Sequence, residues 1–323
     1  MGDPAGIGGE LSLKAWLARR AGRPFVALDD PDRLSGIARE LGLDVPVRAV
    51  NAAGAAGAVF LDALPVLPIK LGAAPAPGQA DPANAPAVIA SIEQATKLTL
   101  AGETAAVVTN PIHKSTLYGT GFAYPGHTEF LAALTGAKLP VMMLASPDMR
   151  VVPITVHASL RRMLDMITTD RIVTVCRVTA AALREHWGIA SPRLAIAGLN
   201  PHAGEDGTMG EEEITIIAPA IEQLRAEGYH VTGPWAADSM FTAEARQNYD
   251  VAMGMYHDQA LIPLKTLDMR HGVNTTLGLP IIRTSPDHGT AFAIAGKGIA
   301  DATSLIAAID LAAALATRKE ARA

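Results

Sequence analysis

Three histidines, His157, His202 and His257, each follow an apolar stretch that is typical of a buried β-strand. The predicted strands cover residues 150–156, 193–199 and 251–256. In open α/β sheets, ligands bind beyond the carboxyl ends of the strands, and three neutral imidazoles can form a divalent metal site of catalytic type. The pattern predicts such a site if the three strands are neighbours. Three unrelated loop histidines are the alternative at this point.

A second set of residues has the chemistry to bind an anion. Lys265, Asn274 and Arg283 lie in a segment with few other charges. Lysine and arginine near one site suit a phosphate or a carboxylate, and arginine binds either one with two parallel hydrogen bonds. A solvated basic pair on the surface is the alternative reading of the same residues.

The rest of the chain must supply the elements that hold these side chains. Further strands are predicted at 24–28, 45–50, 66–68, 105–109, 141–144 and 229–233, and helices at 11–20, 30–41, 87–100 and 168–186. Apolar strands alternating with helices predict an α/β fold with a mostly parallel sheet and helices on both faces. The glycine-rich turn at residues 2–9 lacks the spacing of the dinucleotide fingerprint, so as a phosphate cradle it is a weak signal.

Composition excludes several classes of partner. The 323 residues carry a formal net charge of −5, which gives no electrostatic case for binding nucleic acid or an anionic membrane. No apolar run is long enough to span a bilayer, and the first residues do not resemble a signal peptide. The single cysteine, Cys176, lies in a predicted helix and suits a reducing compartment. We therefore expect a cytoplasmic protein.

The longer motifs resemble a known family. They are GDPAGIG at 2–8, PGHTEF at 125–130, LNPHAGEDGTMG at 199–210, YHDQALIPLK at 256–265, GVNTTLGLPIIRTSPDHGTA at 272–291 and AGKG at 295–298. Together they are similar to the PdxA family of vitamin B6 biosynthesis, the 4-hydroxythreonine-4-phosphate dehydrogenases. The similarity covers almost the whole chain.

The resemblance implies a fold and an assembly. The family shares the two-domain α/β fold of isocitrate and isopropylmalate dehydrogenases, with mostly parallel sheets and an interdomain cleft. It implies a nucleotide-side domain at 1–120 plus 265–323, and a second α/β domain at 121–264 with the metal and dimer contacts. It also implies a homodimer whose active site is completed at the subunit interface. Because the family has an apolar strand before GDPAGIG, we expect about five residues of strand to precede that motif.

The resemblance also assigns roles to individual residues. It implies metal ligation by His157, His202 and His257. It implies substrate contacts from His127, Thr128, Lys265, Asn274 and Arg283. The similarity of the loop HGTAFAIAGKG to nucleotide loops of related dehydrogenases implies cofactor contacts from His288, Gly289, Thr290, Ala291, Ile294 and Asp301. No residue beyond these is assigned a catalytic role.

The implied reaction oxidises the secondary hydroxyl of 4-phosphooxy-L-threonine with NAD and a divalent metal, zinc, cobalt or magnesium. The β-keto acid product then loses carbon dioxide. Ala293 stands where the family usually has an acidic residue that could contact the adenosine ribose, so NADP stays open as an alternative cofactor. Two alternatives to the substrate and reaction remain. One is a related dehydrogenase acting on a four-carbon sugar-acid phosphate or an aromatic dihydrodiol, and the other is a phosphate acyltransferase.

Overall fold

The computed structural model describes residues 1–321 as a mixture of helices and mostly parallel strands. The chain divides into two compact units. The first unit contains Met1–Lys138 and Leu279–Ala316, and the second contains Leu139–Gly278 with the end of the chain from Thr317. The predicted α/β class is confirmed. The assignment of nucleotide and metal functions to separate domains stays a prediction.

The helices and strands follow the chain in alternation. Up to residue 138 they are α1 (Gly8–Arg19), β1 (Ala27–Asp29), α2 (Pro31–Glu40), β2 (Val47–Ala49), α3 (Ala56–Val59), β3 (Leu64–Pro68), α4 (Ala85–Leu100), β4 (Ala106–Val108), α5 (Lys114–Tyr118) and α6 (His127–Thr135). The second unit adds β5 (Val141–Ala145), β6 (Arg150–Pro153), α7 (Leu160–Met166), α8 (Thr169–Glu185), β7 (Arg193–Ala197), α9 (Ala218–Ala226), β8 (His230–Trp235), β9 (Val251–Gly254), α10 (His257–Asp268) and β10 (Val273–Leu277). The chain continues with β11 (Ile282–Pro286) and α11 (Thr303–Glu320).

Local chemistry explains where these elements begin. The helix predicted at 30–41 is α2, and Asp30 caps it by accepting hydrogen bonds from the backbone N–H groups of Asp32 and Arg33. Pro31 occupies the first helical turn, where a missing N–H group does no harm. In the first unit β3 lies between β1 and β2, and β11 pairs with β4; all of these pairings are parallel.

A cavity of about 350 Å³ lies inside the first unit. Its walls include residues 25–29 around β1 and residues 105–110 around β4, together with Met1. Both β1 and β4 lie at an end of the strand order of their sheets. The cavity is therefore bordered by two strand edges, and the backbone along such an edge can pair with one more strand.

An apolar segment of about five residues fused ahead of Met1 is expected to raise Tm by several degrees. Each backbone hydrogen bond to β1 or β4 contributes roughly 0.5–1.5 kcal/mol. Burial lowers the pKa of the Met1 amino group, and a peptide bond at that position replaces this ionisable group with a neutral one. Thermal unfolding of the extended chain is the measurement, with a Gly-Ser extension of equal length as the control. Equal Tm values for the two extensions would contradict the prediction.

The second unit places three parallel strands side by side. Its strands follow the order β10-β5-β6-β9-β7-β8, and β9 is parallel to both β6 and β7. The carboxyl ends of β6, β9 and β7 therefore lie at one edge of the sheet. Among the described strands of this unit, β5 runs antiparallel to its neighbours β6 and β10. Periodicity along the sequence carries no information on strand direction, so this reversal was not predicted.

In the stretch from Met1 to Ala321, the structure contains no helix with the length and apolarity needed to cross a bilayer.

Candidate active site

The three histidines predicted as metal ligands follow the three neighbouring strands. His157 comes shortly after β6, His202 shortly after β7, and His257 is the first residue of α10, shortly after β9. His157 and His202 are exposed, and the His257 side chain is 42% exposed, so none of them is a core residue. The three strands that precede the histidines are neighbours in the sheet, as the predicted metal site requires.

The backbone at two of these histidines has an unusual conformation. His157 has φ 54° and His202 has φ 53°, in the left-handed region that non-glycine residues rarely adopt. The run from His202 to Asp206 consists of five consecutive left-handed residues, with φ between 43° and 80°. Each non-glycine residue in this conformation costs roughly 1–2 kcal/mol. Such strain persists where the surrounding structure enforces it, and it clusters at functional sites.

The structure brings two of the three rings together. The ring centroids of His157 and His257 are 6.4 Å apart. His257 Nδ1 lies 2.7 Å from Asp258 Oδ1, which favours the tautomer that leaves Nε2 available to a ligand. Within residues 1–321, no three His, Cys, Asp or Glu side chains form a preassembled metal-binding group. The donor set suits a divalent ion chemically, but three-ligand coordination stays a prediction.

A buried carboxylate holds the turn of His202. Glu213 Oε1 accepts hydrogen bonds from the backbone N–H groups of Leu199 and Asn200, each at 2.7 Å. Its Oε2 atom accepts from the Asn200 side-chain amide at 2.9 Å. Glu213 begins a π-helical turn, a feature that often occurs at functional sites. The sequence analysis did not identify Glu213, because its contacts across the turn are not local.

His127 and Arg283, two predicted substrate residues, lie in one electrostatic environment in the first unit. Burial and then the charge of Arg283 hold the pKa of His127 well below its usual range, and Lys114 lowers it further. Burial lowers the pKa of Arg283 to about 10, so its guanidinium is charged at neutral pH. Arg283 donates from Nη2 to Thr109 Oγ1 at 2.7 Å. A concentration of positive charge next to a neutral imidazole is suited to binding an anion such as phosphate.

Lys114 was missed by the sequence analysis. Its Nζ atom and Glu129 Oε2 both lie close to Gly126, the residue before His127. Lys114 begins α5, the helix after β4, and a basic residue in the segment that follows a strand was the signal that could have indicated it. Its influence on the pKa of His127 makes it a second cation, with Arg283, in the surroundings of that imidazole.

The lowered pKa of His127 predicts a loss of stability in acid. Below about pH 6.5, the ordinary pKa of an imidazole, the unfolded chain takes up a proton at this residue, whereas the folded chain, in which the pKa of His127 is lowered, does not. Stability therefore falls as the pH drops below about 6.5. We expect His127→Gln to flatten this part of the curve of Tm against pH. His230→Gln, at an exposed position on β8, is the control. Identical curves for wild type and His127→Gln would show that His127 is not held neutral.

The other predicted substrate residues have less defined surroundings. Thr128 is in the first turn of α6, Lys265 is in α10, and Asn274 is in β10. Asn274 Oδ1 is buried and has no hydrogen-bond partner among the described residues. A buried amide oxygen usually has a donor, so this atom is a candidate contact for a bound ligand. His127 and Arg283 belong to the first unit, whereas Lys265 and Asn274 belong to the second.

The predicted nucleotide loop packs against the glycine-rich turn within the first unit. The Thr290 carbonyl accepts a hydrogen bond from Ile7 N at 3.1 Å, and Ala291 has φ 49°. His288 Nδ1 is 2.9 Å from the Gly289 carbonyl, and its buried Nε2 atom has no partner in the described part of the chain. This buried nitrogen is a candidate contact for a bound molecule.

Two of the predicted cofactor residues have structural contacts as well. Asp301 Oδ1 accepts from the N–H group of Thr303 at 2.9 Å, which stabilises the start of α11. Ile294 is partly buried and packs against a core cluster. These contacts neither assign nor remove a role in cofactor binding, so both residues stay predictions.

A part-buried ion pair that the sequence analysis missed supports the end of this loop. Lys14 Nζ is 2.7 Å from Glu10 Oε1, and it donates to the carbonyls of Gly298 and Ala300 at 2.9 and 2.7 Å. Glu10 Oε1 also accepts from Ala300 N at 2.9 Å. The i, i+4 spacing on α1 was visible in the sequence, but the partner loop lies almost 290 positions away.

Comparison with known proteins identifies the family. The family model described as pyridoxal phosphate biosynthetic protein PdxA matches residues 20–312. This chain belongs to the PdxA family. The resemblance inferred from the motifs is therefore confirmed.

Relatives within the PdxA family are similar over nearly their whole length. The 4-hydroxythreonine-4-phosphate dehydrogenase of Caulobacter vibrioides is 53% identical over 325 residues, which cover 98% of this chain and 96% of that protein. The protein of the same name from Methylorubrum populi is 52% identical over 327 residues, covering 98% of this chain and 93% of that protein. The PdxA-family similarity thus includes the candidate active site.

Solved structures agree with the PdxA assignment. The crystal structure of 4-hydroxythreonine-4-phosphate dehydrogenase from Klebsiella pneumoniae has a TM-score of 0.87 and 40% identity, covering 98% of each chain. A terephthalate 1,2-cis-dihydrodiol dehydrogenase from Burkholderia xenovorans has a TM-score of 0.66 and 29% identity, covering 97% of this chain and 96% of that one. The PdxA fold is therefore also found in a dehydrogenase named for a different substrate.

Proposed function

We propose that this chain is a metal-dependent dehydrogenase that oxidises 4-phosphooxy-L-threonine with NAD in vitamin B6 biosynthesis. When bound, the nicotinamide would supply the hydride acceptor for the carbon that carries the secondary hydroxyl, and the hydroxyl proton would be released. The β-keto acid then loses carbon dioxide to give 3-amino-2-oxopropyl phosphate. The observation that carries the proposal is the 53% identity to a 4-hydroxythreonine-4-phosphate dehydrogenase along essentially the whole chain.

In this proposal His157, His202 and His257 bind one divalent ion. Their placement after the neighbouring strands β6, β7 and β9 supports it. When bound, a divalent ion supplies Lewis-acid stabilisation to the substrate oxygen. Imidazole ligands suit zinc or cobalt, and magnesium can serve if the substrate contributes oxygen ligands. Glu213 holds the His202 turn through the backbone N–H groups of Leu199 and Asn200.

Cationic residues bind the anionic groups of the substrate. Arg283 carries its charge in a buried position, where electrostatic interactions are strong. His127, with its lowered pKa, is neutral and accepts or donates one hydrogen bond. Thr128, Lys265 and Asn274 complete the proposed substrate set.

The loop from His288 to Asp301 binds the nicotinamide cofactor. Its packing against the glycine-rich turn supports a rigid backbone at this position. Ala293 is exposed and provides no carboxylate for the ribose, so NADP is an alternative to NAD. We further propose a cytoplasmic homodimer in which the second copy completes the active site.

An activity assay tests the proposed reaction against its alternatives. Purified protein with a divalent ion is supplied with 4-phosphooxy-L-threonine and either NAD or NADP, and both reduced nicotinamide and carbon dioxide are measured. We expect both products in equal amounts. Turnover of a four-carbon sugar-acid phosphate or an aromatic dihydrodiol instead would identify a related dehydrogenase. Acyl transfer to phosphate without reduction of the nicotinamide would refute the dehydrogenase assignment.

A further inference from the structure

The side chain of Gln259 connects two of the strand ends that carry predicted metal ligands. Its Oε1 atom accepts a hydrogen bond from Met255 N at 2.6 Å, just after β9. Its Nε2 atom donates to the Gly198 carbonyl at 2.8 Å, just after β7. Met255 precedes His257 by two positions, and Gly198 begins the turn that carries His202. One amide therefore spans the gap between the segments of two histidines.

The segment that follows the third strand, β6, is hydrogen-bonded to Met255 as well. Thr155 Oγ1 donates to the Met255 carbonyl at 2.8 Å, and Thr155 precedes His157 by two positions. Thr155 and Met255 are 1% and 0% exposed. The Met255 backbone is thus bonded through its N–H group on one side and its carbonyl on the other. A continuous hydrogen-bonded path runs from Thr155 through Met255 and Gln259 to Gly198.

We propose that Gln259 is a positioning residue that sets the spacing between His202 and His257 for metal binding. This inference rests on the proposed function, in which the histidines bind one divalent ion. A primary amide is suited to the task because it donates and accepts at the same time. An ionised glutamate has no donor for the Gly198 carbonyl, and a methionine of similar length has no strong donor or acceptor.

The test measures Zn²⁺ affinity, independently of activity. The full chain is stripped of metal and titrated with Zn²⁺ against a chromophoric chelator, and Tm is recorded for each variant. We expect Gln259→Glu and Gln259→Met to weaken Zn²⁺ binding roughly 10–100-fold, the usual effect of losing a partner outside the ligand set. Gln247→Glu and Gln247→Met, at an exposed position of the same unit, are the matched controls and should bind like wild type.

The possible outcomes separate this inference from the function on which it rests. A wild-type chain that binds no Zn²⁺, Co²⁺ or Mg²⁺ overturns both the metal site and the role of Gln259. Metal binding by wild type with unchanged affinity in both folded Gln259 variants overturns only the role of Gln259. If neither Gln259 variant folds, Gln259 is required for folding of the unit, and the proposed role is wrong. Weakened affinity with a near-normal Tm supports it.

Discussion

Exhaustive chelation is expected to abolish the dehydrogenase activity, and adding back Zn²⁺, Co²⁺ or Mg²⁺ is expected to restore it. In the proposed function the ion would stabilise the substrate oxygen as a Lewis acid, and chelation would remove that stabilisation. Elemental analysis before and after chelation, together with turnover, provides the measurement. Because His157, His202 and His257 are exposed or part-exposed, the fold should survive the treatment with little change in Tm.

Single ligand variants test the same site without a chelator. His202→Ala should weaken metal binding by more than the roughly 10–100-fold typical of partners outside the ligand set. His230→Ala removes an exposed histidine from β8 in the same unit and serves as the matched control. Full turnover by a chain in which elemental analysis detects no metal would exclude the proposed role of the three histidines.

Arg283→Ala should cost roughly 2–5 kcal/mol of transition-state binding. This loss corresponds to a decrease in kcat/KM of about 30-fold to several thousand-fold. The expected loss is large because the guanidinium is 3% exposed, so a bound anion would interact with it away from bulk water. Arg283→Lys should recover only part of the activity, since an ammonium cannot form two parallel hydrogen bonds to one anion. Steady-state kinetics with 4-phosphooxy-L-threonine gives the measurement.

A control is needed because Arg283 also donates to Thr109. Arg48→Ala removes an exposed arginine from β2 in the same unit and should leave kcat/KM unchanged. Measuring Tm separates a damaged fold from a damaged site. Near wild-type kcat/KM in a folded Arg283→Ala variant would remove Arg283 from the substrate site.

The sequence predicted the strands that precede the three histidines well, for a physical reason. Buried strands such as 193–199 and 251–256 are continuous apolar runs, and turn residues mark their ends. The structure places β7 and β9 at these positions as neighbours. Local pattern was therefore enough to place histidines at strand ends, although it could not establish that the strands were adjacent.

The supporting contacts could not be predicted from the sequence. Glu213 and Gln259 act through backbone groups of residues 14 and 61 positions away. Neither distance leaves a periodic signal, because the pairing depends on how the turns fold back on the sheet. The antiparallel pairing of β5 with β6 follows from the short link between them, but its pairing with β10, more than a hundred residues later, has the same limit. Contacts of this kind depend on topology rather than on propensity.

The left-handed run from His202 to Asp206 has a consequence for sequence design. A redesign for thermal stability would favour glycine at Ala203 and Glu205, because glycine adopts positive φ without steric strain. His202 has the same backbone conformation, but glycine there would delete a proposed ligand. Added glycines would also widen the range of conformations open to the turn and so loosen the placement of that ligand. Selection for a higher melting temperature alone would therefore tend to erode this turn, and a design procedure should hold its sequence fixed.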